Sequence, residues 1–103
     1  MLFASMYTYR GNISEESQER LTNLFVNWKP PKGFVFKAHY TLTDGTGGLA
    51  LIEAESAEVL YEGSIPWTPF IEFRTVPVVE VEKSVPIALA AMAWRKSVKG
   101  QVT

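Results

Sequence analysis

Residues 2–10, LFASMYTYR, are apolar or aromatic on both alternating faces, the pattern of a central strand covered on two sides. Ser14 is placed to cap a helix whose first turn carries Glu15 and Glu16, where negative charge suits the positive end of the helix dipole. Leu21, Leu24, Phe25 and Trp28 then follow the i, i+3, i+4, i+7 spacing of one helix face, and KPPKG stops the helix. From Gly33 the period becomes two. Phe34, Phe36, Ala38, Tyr40 and Leu42 fall on one face of a strand, and Val35, Lys37, His39, Thr41 and Thr43 on the other. Asp44-Gly45 separates this run from a second one, LALIEAE, and predicts a hairpin. The glycine-rich stretch TDGTGG is followed by a strand, so it reads as a turn and not as a phosphate-cradling loop, which needs a helix N-terminus after it.

Ser56 begins a short second helix, weakened at Gly63 and ended by Pro66 and Pro69. IEFRTVPVVEVE is a fourth strand, and its Pro77 places it at a sheet edge or a bulge. SVPIALAAMAWRKSVKG predicts a third helix capped by Ser84, with Pro86 in its first turn and Arg95, Lys96 and Lys99 at its negative end. Its apolar residues run nearly all the way round, so it calls for cover from a sheet edge or from another subunit.

The order strand, helix, strand, strand, helix, strand, plus a C-terminal helix, defines an α+β ferredoxin-like βαββαβ fold with a four-stranded antiparallel sheet. Right-handed crossovers put both helices on one face and leave the other bare. Leu49 and Leu51 point one way on the third strand, and Ala50, Ile52 and Ala54 the other. A second apolar face left in water exceeds what monomers usually expose, so a homodimer paired through its sheet faces around a shared interior is expected. Residues 1–82 form the ferredoxin-like domain, and residues 83–103, a helix and tail, belong to the same domain.

Composition removes several classes of function. Ten Lys and Arg against eleven Asp and Glu give a net charge of -1, with no basic run, so nucleic acid is not an expected partner. There is no cysteine and one histidine, which argues against a metal site or any other cofactor. The N-terminus does not read as a signal peptide, and the apolar run VPIALAAMAW is too short to span a bilayer, so a cytoplasmic protein without membrane association is expected.

His39 is the first candidate for a general acid or base, because its unperturbed pKa lies near neutrality. The bland alternative is a hydrogen-bonded or exposed histidine, since spacing fixes no nucleophile or carboxylate beside it. Glu53 is the second candidate: it ends the third strand at the expected rim between sheet and helices, where desolvation would raise its pKa. Glu72 and Arg74 share a face of the fourth strand, and Arg74 is suited to a carboxylate ligand. Tyr7, Tyr9, Tyr40, Trp28 and Trp67 could line an apolar pocket with a few polar groups, with Tyr40 and Trp67 the foremost ligand contacts among them.

The segments MLF, PPKGF, DGTGGLALIE and PWTPFIEFRTVPVVE resemble a family of short, uncharacterised bacterial proteins, a domain of unknown function within the dimeric α/β-barrel superfamily. The resemblance covers nearly all of residues 1–82 and implies the fold and a dimer, but no activity. Thr41 and His39 stand where the resemblance would place a histidine and an arginine, so no chemistry is carried over from those positions. It puts Trp67 near the ligand entrance of related barrels. Three functions follow: a dimeric binder of a small apolar or aromatic-acid ligand; a cofactor-independent enzyme of the monooxygenase or isomerase kind with His39 or Glu53 as base; and a structural or interaction module that uses its last helix. An ionisable group within reach of a cavity favours the enzyme over the binder, and a filled interior favours the module.

Overall fold

The computed structural model describes residues 1–11 and 14–100. Strand β1 (Leu2–Tyr9) leads to helix α1 (Glu15–Val26), the hairpin β2 (Phe34–Thr41) and β3 (Gly47–Ala54), helix α2 (Ala57–Ser64), a single 3-10 turn (Ile65–Trp67), strand β4 (Ile71–Pro77) and helix α3 (Val81–Ser97). Two of the caps expected from sequence are made. Ser14 accepts a hydrogen bond from the Ser17 amide and Ser56 from the Val59 amide, each satisfying an amide that its helix leaves unpaired.

The sheet order is β2-β3-β1-β4, with every neighbouring pair antiparallel. This is the ferredoxin-like arrangement, and it puts Pro77 on an edge strand, where its missing N–H interrupts nothing. The core lies on the helix-covered face, where Phe3, Phe34, Ala50, Ile52 and Ala54 are buried and Trp28, Phe36, Val59 and Leu60 pack against them. Gly63, expected to weaken α2, lies buried within its last turn. The Phe34 ring sits against its α-carbon, in the space a Cβ would need. The opposite face carries Met6, Val35, Leu49 and Val76, all exposed. Among the described residues no helix is long and apolar enough to cross a membrane.

Three local expectations change. The turn between β2 and β3 spans residues 42–46, longer than the two-residue Asp-Gly turn the sequence suggests, and only Gly45 takes a positive φ, +78°. Asp44 Oδ1 closes it by accepting from both the amide and the hydroxyl of Thr46, which holds its carboxyl below the ordinary range.

The second change is a β-bulge. Phe36 pairs with Ile52 and Ala38 with Leu51, so Lys37 is an extra residue and the strict alternation of β2 breaks there. His39 therefore faces the same side as Phe36, and Tyr40, opposite Leu49, turns to the other.

The third concerns α3, which starts at Val81, earlier than Ser84. Ser84 donates its hydroxyl to the Val81 carbonyl and is not a cap, and Pro86 lies within the helix. No residue of α3 is buried. Val81, Ile87, Leu89 and Trp94 are among its most exposed side chains. The molecule measures 62 × 31 × 22 Å with a radius of gyration of 18.9 Å. A compact chain of this length has about 13 Å. The excess is the length of α3, standing off the body.

Candidate functional site

The helix-covered face is not completely filled. A cavity of about 340 Å³ lies between the sheet, α1, and the corner formed by α2 and the 3-10 turn. β1 supplies Ser5, Tyr7 and Tyr9, β2 supplies Phe36 and His39, and β4 supplies Phe73. Phe25, Trp28 and Trp67 close it from the helical side. Trp67 is held in place by donating its indole N–H to the Gly63 carbonyl (3.1 Å), and its ring meets Trp28 edge-on at 5.3 Å. These contacts satisfy the one polar atom of the indole and fix the wall it forms.

The polar centre of the cavity is a pair. The Tyr7 hydroxyl lies 2.8 Å from His39 Nε2, and the imidazole stacks on Phe36 with centroids 4.5 Å apart and planes 14° from parallel. Phe25 meets the same imidazole edge-on. Two features of the backbone make the pair possible. The bulge at Lys37 turns His39 inward. Gly48, opposite Tyr7 in the β1–β3 register, leaves the space the phenol occupies, since any Cβ there would collide with the Tyr7 ring. The glycine cluster of the turn therefore serves the site by what it omits.

Desolvation lowers the His39 pKa and raises that of Tyr7, the latter with a smaller contribution from Tyr9. Both shifts favour the neutral forms. His39 remains open to solvent on one side, at the cavity mouth. Ser5, buried beneath the cavity floor, shares a 3.0 Å hydrogen bond with Thr75. Among the described residues no cluster of three or more His, Asp or Glu side chains is arranged to hold a metal ion.

The structure separates the residues nominated from sequence. Tyr7, Tyr9, Trp28, Trp67 and His39 line the cavity, and Tyr40 borders it while remaining 63% exposed. Glu53 lies elsewhere: its register with Leu2 places it on the bare face, and it binds the N-terminal ammonium at 2.7 Å. Arg74, opposite Met6, is also on the bare face. Glu72 accepts from Arg10 at 3.0 Å within the same chain. This chamber lies within the single chain, between sheet and helices. Phe25, Phe36 and Phe73 join it without having been nominated. Their signal in the sequence was the density of aromatic residues on the helix-facing positions.

Fold and cavity define a small ferredoxin-like α+β protein with an aromatic pocket under its helices. The chain belongs to the family described as Domain of unknown function (DUF3303), whose model matches residues 1–92. No curated protein matches the sequence.

Proposed function

We propose that the protein binds a small, largely apolar aromatic molecule in the cavity between its sheet and helices. The observation that carries this reading is the combination of about 340 Å³ of space, aromatic walls and one convergent polar pair, Tyr7 and His39. Ligand sites have this composition, and their volumes begin at roughly 300 Å³. A core built only for stability would be expected to close such a space, because unfilled apolar volume costs stability.

The binding unit is a homodimer, with superfamily relatives of the dimeric α/β-barrel kind. Its support is the amount of apolar surface one copy leaves in water: Met6, Val35, Leu49 and Val76 on the bare sheet face, and the length of α3. We assign the sheet face to the pairing of two copies and α3 to an arm lying along the partner. Native mass spectrometry of the freshly purified chain tests both halves. Twice the chain mass plus that of a small molecule is expected. A monomer of bare mass, together with no uptake of added aromatic compounds, refutes the reading.

A second reading, a cofactor-independent monooxygenase or isomerase, is favoured by the placement of His39. An uncharged imidazole at the mouth of an apolar cavity, oriented by a tyrosine hydroxyl, is suited to take a proton from a bound substrate. Glu53 has no part in it, being across the sheet and ion-paired. Turnover of a bound aromatic compound that is lost in His39→Gln, with binding retained, identifies an enzyme; binding without turnover identifies a binder.

A further inference from the structure

We infer that the cavity selects an uncharged flat ligand carrying a single hydroxyl or carbonyl group, and excludes aromatic carboxylates. The inference rests on the ligand-site reading above and adds the chemical class. Its first support is the charge of the walls: among the described residues no Lys, Arg, Asp or Glu lines the cavity. The one cation suggested by sequence, Arg74, lies on the opposite face of the sheet. A carboxylate entering among Phe25, Trp28, Phe36, Trp67 and Phe73 would lose hydration with no Lys or Arg to replace it.

The second support is the hydrogen-bond inventory of the polar pair. One bond between Tyr7 and His39 uses one proton and one lone pair. If the phenol donates to Nε2, its oxygen can still accept. If Nε2 carries the proton and donates, the phenol proton is left free. The Tyr7 oxygen can therefore meet a ligand hydroxyl in the first arrangement and a ligand carbonyl in the second, without either residue becoming charged. Of the other hydroxyls in the lining, Ser5 is engaged with Thr75 and Ser64 with the Leu60 carbonyl, while Thr22, Tyr40 and Thr41 are exposed to water. The capacity to bond a ligand away from solvent thus centres on Tyr7, with Tyr9 the other half-buried hydroxyl of the lining. Much of the remaining wall is ring surface, which favours a flat partner.

The test compares three probes of one shape by titration calorimetry near neutral pH on the full chain: naphthol, naphthoate and methylnaphthalene. Naphthol is expected to bind about tenfold tighter than naphthoate, and about threefold to tenfold tighter than methylnaphthalene, the value of one hydrogen bond. Tyr7→Phe is expected to erase the advantage of naphthol over methylnaphthalene while leaving methylnaphthalene affinity in place, which also shows that the cavity is intact. Naphthoate binding as tightly as naphthol overturns the inference and leaves the ligand-site reading standing. So does an advantage for naphthol that survives in both Tyr7→Phe and His39→Gln. Failure of all three probes to bind overturns both.

Discussion

The two faces of the sheet are built from similar residues and meet different ends. On the helix side, apolar side chains from β1, β2 and β3 are buried beneath α1 and α2, and the space left over is enclosed by rings. On the other side, Met6, Val35, Leu49 and Val76 stand exposed, and α3 adds a helix with no buried residue. Greasiness alone therefore does not identify the core of a chain this small. Position relative to the two crossover helices decides which apolar residues stabilise the protomer and which are available for contact with another molecule.

The comparison can be broken most forcefully at Trp67. Trp67→Ala removes a buried indole and its bond to Gly63, and is expected to cost about 3–5 kcal/mol in denaturant unfolding, as truncations of large core residues do. A loss below 1 kcal/mol, the range of surface changes, would mean that the helix side is not the core.

Gly48→Ala asks for less. Its methyl group collides with the Tyr7 ring, so about 1–3 kcal/mol of overpacking cost is expected, along with loss of the Tyr7–His39 bond. Restoration of stability in the double variant with Tyr7→Ala would confirm the cause. Unchanged stability and an unmoved His39 imidazole resonance in Gly48→Ala alone would count against it.

The pair should also leave a mark on the pH profile of stability. Because the His39 pKa is lower folded than unfolded, the unfolded chain takes up the proton first as pH falls. The contribution is present above the ordinary imidazole value of 6.5 and is lost as pH drops through it toward the folded value. Tyr7 behaves in the opposite sense, its contribution being lost as pH rises above 10.0. His39→Gln should flatten the difference in unfolding midpoint between pH 8 and pH 5 relative to the parent protein; parallel profiles would contradict the shift.

The smallest effect on the protomer is expected on the other side. Ile87→Lys combined with Trp94→Lys in α3 should change stability of the dilute protein by no more than about 0.5 kcal/mol, since both side chains are already in water there. At higher concentration the same variant should sediment as a smaller species than the parent. A large loss of stability when dilute would show that α3 packs on its own protomer.

Much of the fold was legible in the chain. Helical spacing of Leu21, Leu24, Phe25 and Trp28, caps at Ser14 and Ser56, and the order of elements suffice to predict the four-stranded ferredoxin-like sheet. The start of α3 was not, because Ser84 and Pro86 mimic a helix beginning that lies one turn earlier. The site was legible only in part. Aromatic density pointed to Tyr7 and Trp67, but a strict period of two assigned His39 to the face away from Phe36. Nothing in the letters VFKAHY announces an extra residue, since the bulge is set by how β2 registers against β3. Glu53 failed for a related reason: parity with Leu49 and Leu51 was read correctly, but which of the two faces carried the helices was not.

The bulge at Lys37 makes the inner surface of β2 depend on how the strand is paired with β3 as much as on which residues it holds. The same residues paired without the bulge, with Lys37 alone opposite Leu51 and strict alternation beyond it, would turn the imidazole outward and Tyr40 inward, parting His39 from Tyr7. A slip in pairing alone would then rewrite what the chamber can do, with no substitution anywhere in its walls.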